Sequence, residues 1–188
     1  MQIKNKKEFI LYLLFSIIFS LNINAEEFDI TAKEVLIDKE NETLIGKGSV
    51  EARDSEGKII IADKITYTKS KEFLLAEGNV KITDIENNVI TTDRATYDKI
   101  NEIIITYDRT EILLEEGYRL SSKNISYDIE KKIVLSSDDS IFTDTDGNYI
   151  ETTMFQYHIK NNLFSSVGKI KVIDIKKNKY FFKELHVD

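Results

Sequence analysis

Apolar and polar residues alternate with a spacing of two along most of the chain, as at Ile65 and Tyr67 or at Val80 and Ile82. The alternating stretches are rich in Ile, Val, Thr, Tyr and Phe, which is typical of β-strands that bury one face. Short polar clusters separate these stretches, and connections of this length reverse the chain. The pattern therefore predicts an antiparallel β-meander with almost no helix.

A constant offset of 30 residues relates equivalent positions of successive units, through Ile37, Tyr67, Tyr97, Tyr127, Tyr157 and Val187. A period held without insertions indicates that each unit is one supersecondary block stacked on the last. No linker interrupts the repeat, so residues 26–188 are predicted to form one domain. The expected strands are residues 29–38, 42–53, 58–68, 72–83, 88–98, 102–113, 118–128, 132–143, 149–158, 162–173 and 179–187.

The alternation changes phase within a strand. Ile60 is apolar at an even position, whereas Ile65 and Tyr67 in the same predicted strand are apolar at odd positions. Each strand should therefore bend or bulge midway, and Gly78 marks the comparable point in the next strand, where glycine permits a sharp bend. A meander whose strands all bend at one height folds over into a jelly roll, an open trough whose two apolar walls suit a linear apolar guest.

The first 25 residues have the pattern of a cleavable signal peptide. Lys4, Lys6 and Lys7 precede an apolar run over residues 9–21, and Ala25 stands directly before two acidic residues. The apolar run is shorter than the roughly 20 residues that a membrane-spanning helix needs. We therefore expect residues 1–25 to be removed during export and the mature chain to reach the periplasm or beyond.

The composition excludes several classes of function. The chain has no cysteine and only two histidines, which removes disulfides, thiolate metal sites, iron–sulfur clusters and cysteine nucleophiles. A net charge of −7 gives no basic footprint for nucleic acid. We expect a protein that is not an enzyme, that needs no cofactor or metal and that does not bind nucleic acid.

The sharpest chemical motif is Asp144-x-Asp146-x-Asn148, which imitates the start of a calcium loop. Tyr149 and Phe155 stand where that motif requires Gly and Glu, so a hairpin turn explains it better. The carboxylates of residues 63 and 93 lie one repeat apart, and repeat position explains them better than glycoside hydrolysis does. The two histidines, at positions 158 and 186, are expected at the surface. The lysines over 169–183 form either a solvated face or a contact for phosphate groups or an acidic partner.

Three segments carry a resemblance to a known family: IADKITY at 61–67, LAEGNVKI at 75–82 and TDRATYD at 92–98. Together they resemble the OstA-like (organic solvent tolerance) family of periplasmic β-jellyroll proteins in lipopolysaccharide transport. The resemblance covers residues 28–188, although Asp108 and Asp138 replace the glycine in two middle units. It implies an all-β, antiparallel OstA-like jelly roll.

The resemblance also implies a role in a Gram-negative cell. Such proteins bind the acyl chains of lipopolysaccharide inside the jelly roll and join other jelly-roll proteins by edge-to-edge strand addition. The chain would then lie in the periplasm, in association with the outer membrane, as the soluble bridge protein or as the N-terminal part of the outer-membrane translocon. If the chain is the N-terminal part of the translocon, the outer-membrane barrel and its lipoprotein plug are further partners. This role is favoured because the array of repeats ends partway through a unit.

The residues expected to line the lipid groove occupy the apolar positions that recur in each repeat. They are Val35, Ile37, Val50, Ile65, Tyr67, Val80, Ile82, Ala95, Tyr97, Ile112, Ile125, Tyr127, Phe142, Phe155, Tyr157, Ile170 and Val172. The same tyrosines would equally suit the packed core of a sheet. Two other interpretations therefore stay open: a structural or adhesive secreted β-repeat protein without a lipid ligand, and a carbohydrate-active parallel β-solenoid.

Overall fold

The computed structural model describes residues 28–188, and the predicted signal peptide, 1–25, lies outside them. Sixteen strands form one continuous antiparallel sheet, and the described residues contain no α-helix. The strands are β1 (Asp29–Thr31), β2 (Glu34–Asp38), β3 (Thr43–Arg53), β4 (Ile59–Thr68), β5 (Phe73–Thr83), β6 (Val89–Asp98), β7 (Ile103–Tyr107), β8 (Arg109–Leu113), β9 (Arg119–Lys123), β10 (Ser126–Asp128), β11 (Ile133–Ser136), β12 (Ser140–Thr143), β13 (Tyr149–Thr152), β14 (Phe155–His158), β15 (Leu163–Ile173) and β16 (Lys179–Val187). Two short 3₁₀ turns cover Lys69–Lys71 and Ile159–Asn161.

The predicted antiparallel meander is confirmed. The eleven predicted strands become sixteen because five of them are interrupted midway, as β1/β2, β7/β8, β9/β10, β11/β12 and β13/β14. The halves stay in the meander, since β7 pairs with β10 on one side of the interruption and β8 pairs with β9 on the other. The parallel β-solenoid is excluded by this pairing.

All strands bend at one height, as the phase change predicts. Long strands bend through bulges, which shift the register between Glu77 and Val80 on β5. Gly78 has a φ of +77° there, and a Cβ on it would lie 2.5 Å from the Asp63 carboxylate, so only glycine fits. Where the glycine is replaced by Asp108, with a φ of 67°, the strand breaks into β7 and β8.

The bend divides the sheet into two arms that face each other. The tyrosine arm carries the tyrosine series and ends in the connections 39–42, 69–72, 99–102, 129–132 and 159–162. The aspartate arm ends in the connections 54–58, 84–88, 114–118, 144–148 and 174–178. In the second of these, the Asp84 carboxylate accepts hydrogen bonds from the N–H groups of Glu86 and Asn88, both at 2.9 Å, which fixes the turn. We call the bent side of the molecule the spine, and the opposite side, where the two sets of connections meet, the mouth.

Apolar side chains from both arms fill the interior, and buried hydroxyls line the spine. Thr110 lies 3.1 Å from the Thr92 hydroxyl and 2.7 Å from the Thr106 hydroxyl. The Thr106 hydroxyl also accepts a hydrogen bond from the N–H of Ile125 at 3.1 Å. Ile125 lies at the break between β9 and β10. The hydroxyls thus satisfy backbone groups that the interrupted strands leave unpaired, and no buried side-chain polar atom of the described residues lacks a partner.

Candidate lipid-binding interior

The sequence-predicted groove residues occupy three kinds of position. Fourteen of them are buried in one apolar cluster between the arms, and Val172 is half-buried against that cluster. Val35 and Ile37, on the edge strand β2, are 43% and 68% exposed. The buried members are Val50, Ile65, Tyr67, Val80, Ile82, Ala95, Tyr97, Ile112, Ile125, Tyr127, Phe142, Phe155, Tyr157 and Ile170.

The middle of the interior is packed and does not form the open trough expected from the sequence. Tyr97 is fully buried and Ile112 is 1% exposed. The physical reason is that the two arms meet at the mouth, so their inward side chains interdigitate as in an ordinary protein core.

Four successive contacts close the mouth. The first joins Tyr67 to Phe28, which directly precedes β1, and each of the other three joins a tyrosine to the aspartate-arm connection that begins about 40 residues earlier in the chain. At the N-terminal end, the rings of Phe28 and Tyr67 pack edge to face with centroids 5.2 Å apart. At the fourth contact, the rings of Tyr118 and Tyr157 lie 6.4 Å apart. These outer two contacts are aromatic, whereas the two between them are polar.

The second contact is a buried ionic cluster. The Lys58 ammonium lies 2.7 Å from the Tyr97 hydroxyl, 3.2 Å from Glu102 and 3.0 Å from Asp54. Burial alone would lower the pKa of Lys58, but its hydrogen bond and charge interaction with Asp54 outweigh burial and raise that pKa. Burial, reinforced by Glu102, raises the pKa of Tyr97.

The third contact joins the arms twice. The Tyr127 hydroxyl donates to the Asp84 carboxylate at 3.0 Å, and burial, followed by the charge of Asp84, raises the pKa of Tyr127. Beside it, the Lys132 ammonium lies 2.9 Å from the Glu86 carboxylate. These polar pairs hold the middle of the mouth shut.

The mouth opens at the C-terminal end, where the tyrosine series ends in Val187. A cavity of about 370 Å³ lies between Val187 and the turn that contains Asn148, and Phe142 and Val172 contribute to its lining. The inner face of β16 adds Phe182 and its apolar neighbours, and Phe182 is 41% exposed. A smaller cavity of about 270 Å³, with Phe28 and Ile37 among its lining residues, lies at the N-terminal end. Both openings therefore combine apolar walls with polar rims, an arrangement common in sites for small apolar ligands.

Both ends of the sheet have free backbone edges among residues 28–188. Within this range, β1 and β2 pair only with β3, and β16 pairs only with β15. The Lys69 N–H donates a hydrogen bond to the Glu42 carbonyl. In an antiparallel ladder the backbone groups of successive residues point to opposite sides. Even-numbered residues in this half of β3 therefore form their backbone hydrogen bonds with β4, and odd-numbered residues form theirs with β2. The register then leaves the N–H groups of Val35 and Ile37 pointing away from the sheet. These groups can accept an additional strand.

The other chemical motifs are parts of turns and surfaces. Asp144 accepts hydrogen bonds from the N–H groups of Asp146 and Asn148 at 3.0 and 2.8 Å, which is the hairpin turn expected there. His158 is half-buried at the end of β14, and His186 is exposed. Within residues 28–188, no group of His, Asp or Glu side chains is arranged to hold a metal ion, and no helix is long and apolar enough to cross a membrane.

Sequence reasoning identified the tyrosine series but missed the residues that meet it across the mouth. Lys58, Asp84 and Glu102 look like ordinary charged turn residues in the sequence. A signal was nevertheless present, because positions 28, 58, 88, 118 and 148 follow the same 30-residue offset as the tyrosines. Comparing the two series position by position would have found Lys58 opposite Tyr97, but not Asp84 or Glu102, which lie outside that series.

Comparison with known proteins finds only distant structural similarity. No family model and no curated protein sequence matches the chain. LptH from Pseudomonas aeruginosa, described as the LptA homologous periplasmic component of the lipopolysaccharide transport device, is similar at 11% identity with a TM-score of 0.32, over 76% of this chain and 82% of LptH. The TCP10 domain of Danio rerio CPAP, in complex with a STIL peptide, is similar at 10% identity with a TM-score of 0.17, over 84% and 99% of the two chains. Superpositions this poor carry no argument, so the fold assignment rests on the strands and their register.

Proposed function

We propose that this protein is a periplasmic, non-enzymatic module that binds the acyl chains of a lipid such as lipopolysaccharide and takes part in its transport to the outer membrane. The observation that carries the proposal is the apolar opening at the C-terminal end, where a cavity of about 370 Å³ is lined by the exposed inner face of β16. Each methylene buried there would contribute about 0.8 kcal/mol. The resemblance of residues 61–98 to OstA-like segments supports the same interpretation.

Neighbouring residues on β16 provide a test of lipid binding. Phe182 faces the cavity, whereas Phe181 lies on the outer face and is 69% exposed. A photo-crosslinking phenylalanine analogue at position 182 is expected to capture lipid in cells, and the same analogue at position 181 is the matched control. Equal labelling at both positions, or none at position 182, would contradict the proposal.

We further propose that the free edges join other jelly-roll proteins by strand addition. Support comes from the N–H groups of Val35 and Ile37 on β2, which point away from the sheet. On β1, the register with β3 leaves the N–H of Ile30 pointing away from the sheet as well. Val35→Pro removes an outward donor without removing a ladder bond, whereas Val35→Ala trims the side chain and keeps the donor. We expect the proline variant alone to lose association with the partner, as measured by co-purification from periplasmic extract.

The place of the chain in a transport assembly is part of the proposal. As a soluble bridge protein it would be released with periplasmic contents, whereas as the N-terminal part of the translocon it would fractionate with the outer membrane, its barrel and its lipoprotein plug. The mass and membrane fraction of the native product separate these alternatives. Removal of residues 1–25 during export would be visible in the same measurement as the mass of the N-terminal peptide.

A second candidate function is a structural or adhesive secreted β-repeat protein without a lipid ligand. It is favoured by the packed interior between Val50 and Tyr157, which leaves no continuous groove through the middle of the molecule. Mass spectrometry of organic extracts of the purified protein distinguishes the two. Bound acyl lipid favours transport, and its absence together with absent crosslinking at position 182 favours the structural role.

A further inference from the structure

The contacts across the mouth differ in chemistry along the molecule. The two outermost are aromatic, at Phe28 with Tyr67 and at Tyr118 with Tyr157, and the cavity follows the second of these. The two between them are hydrogen-bonded and ionic. The interior behind the polar contacts has the same apolar character as the interior beside the cavity.

Polar contacts differ from apolar contacts when they separate. The Glu86 carboxylate, whose side chain is 47% exposed, and the Lys132 ammonium, at 21%, already touch water. Lys58 and Asp84 are buried, at 1% and 5% exposed, and become solvated only when the arms part. Water therefore compensates for much of the lost contact. Separating aromatic rings instead exposes apolar surface without compensation. The middle of the mouth is consequently the part that can open and close most readily.

We infer that the polar contacts of Lys58 with Tyr97 and Glu102, of Tyr127 with Asp84, and of Lys132 with Glu86 form a gate. The gate must part before an apolar chain that has displaced the adjoining Tyr118–Tyr157 contact can pass from the C-terminal cavity into the N-terminal half. This inference deepens the proposed function and rests on it. The C-terminal cavity is the entry site, because it is the larger of the two end openings. The gate limits how far a bound chain extends while it stays closed.

The absence of cysteine makes a site-specific test possible. Ala95→Cys places a thiol in the buried interior behind the gate, where Ala95 is 1% exposed, and Val172→Cys places one in the lining of the end cavity. The probe is hexadecyl methanethiosulfonate, which carries a long apolar chain and forms a disulfide with an accessible thiol. The rate of mass increase reports arrival of the chain at each position.

Two adjacent lysines give a matched pair of gate variants. Lys132 meets Glu86 across the mouth, whereas Lys131 meets Asp128 on its own arm at 2.6 Å. Lys132→Glu places like charges across the gate, and Lys131→Glu makes the same charge change without crossing it. Lys132→Glu combined with Glu86→Lys exchanges the two partners and restores attraction.

We expect the thiol at position 172 to react rapidly in every background. The thiol at position 95 should react slowly in the unmodified background and with Lys131→Glu, at least about fivefold faster with Lys132→Glu, and slowly again in the exchanged pair. Circular dichroism checks that each variant is folded. If Lys132→Glu does not fold, Glu86→Lys, which places a like charge opposite Lys132 from the other arm, should speed the reaction in the same way. If position 95 reacts as fast as position 172 without a gate variant, or is unaffected by all of them, the gate is refuted. No reaction at position 172 would instead refute the proposed binding function.

Discussion

Tyr127 and Asp84 lie 43 residues apart in the chain and join the two arms through a hydrogen bond of 3.0 Å in the buried mouth. Tyr127→Phe leaves the ring in place and deprives this buried carboxylate of a donor, so we expect the free energy of unfolding to fall by roughly 1.5–3 kcal/mol. Tyr157→Phe is the matched control, because its hydroxyl bonds the exposed Asn162 on its own arm at 3.1 Å. Urea unfolding of both variants should show a clearly smaller loss for the control, and equal losses would contradict this account.

Alkaline pH should unfold the protein by ionising the buried tyrosines. The pKa values of Tyr97 and Tyr127 are raised in the folded state, chiefly by burial. The unfolded chain therefore releases these phenolic protons at lower pH than the folded protein does, and stability is lost as the pH rises above about 10. The pKa of Lys58 is also raised in the folded state. Its contribution to the free energy of unfolding is therefore fully present below about pH 10.4, the pKa of an unfolded lysine, and is lost as the pH rises through the folded pKa.

Absorbance and circular dichroism measured together test this alkaline transition. Tyrosinate absorbance from the buried phenols should appear only as the strand signal disappears. Ionisation of Tyr97 and Tyr127 in a protein that keeps its strand signal would show that the mouth does not protect them.

The spine hydroxyls should be required only where the strands are interrupted. Thr106 accepts the N–H of Ile125, so Thr106→Val leaves a buried donor unpaired and should lower the free energy of unfolding by roughly 1–3 kcal/mol. Thr106→Ser keeps the hydroxyl and should lose less. Ala76 occupies the same position one repeat earlier, where Ala76 pairs with Ala95 in an uninterrupted ladder. Ala76→Ser should therefore give no gain in thermal denaturation, and a gain there would contradict the role assigned to the hydroxyls.

Two glycines with similar backbone angles should respond differently to alanine. At Gly57, where φ is +98°, an added Cβ would meet no atom within 4 Å, whereas at Gly78 it would meet the Asp63 carboxylate. Gly57→Ala should cost roughly 1 kcal/mol, the backbone penalty alone. Gly78→Ala should cost more, because the bulge and Asp63 must also shift. Thermal melts of the two variants compare them directly, and equal shifts would mean that the bulge tolerates a side chain.

Much of the fold was predictable because its determinants are local. The spacing of Ile65 and Tyr67 identifies a strand, and Asp84 with Asn88 fixes a turn within five residues. Apart from the midway interruptions, predicted and observed strand limits accordingly agree at most of the ends and differ by one residue at the others. The repeat also identified the inward face, since fourteen of the seventeen candidate groove residues are buried.

The closed mouth was not predicted, because it depends on how closely the arms approach. The pattern that predicts two apolar walls is the same whether a lipid or the opposite wall covers them. Whether Lys58 is a solvated turn residue or a buried partner of Tyr97 depends on an approach across 39 residues that no local pattern encodes. In the sequence, the break between β7 and β8 at Asp108 appears only as an aspartate in place of the glycine found in other units.

The pairing of each strand with its neighbours in the meander also makes the molecule extendable. One 30-residue unit adds two strands, and because adjacent strands are about 4.8 Å apart, it lengthens the array by about 10 Å. Duplication or loss of a unit would change that length without altering the pairing of any remaining strand, apart from the two that meet at the junction. The length of a protein built in this way can therefore be set by the number of units, while the bend and the turn of each remaining unit stay unchanged.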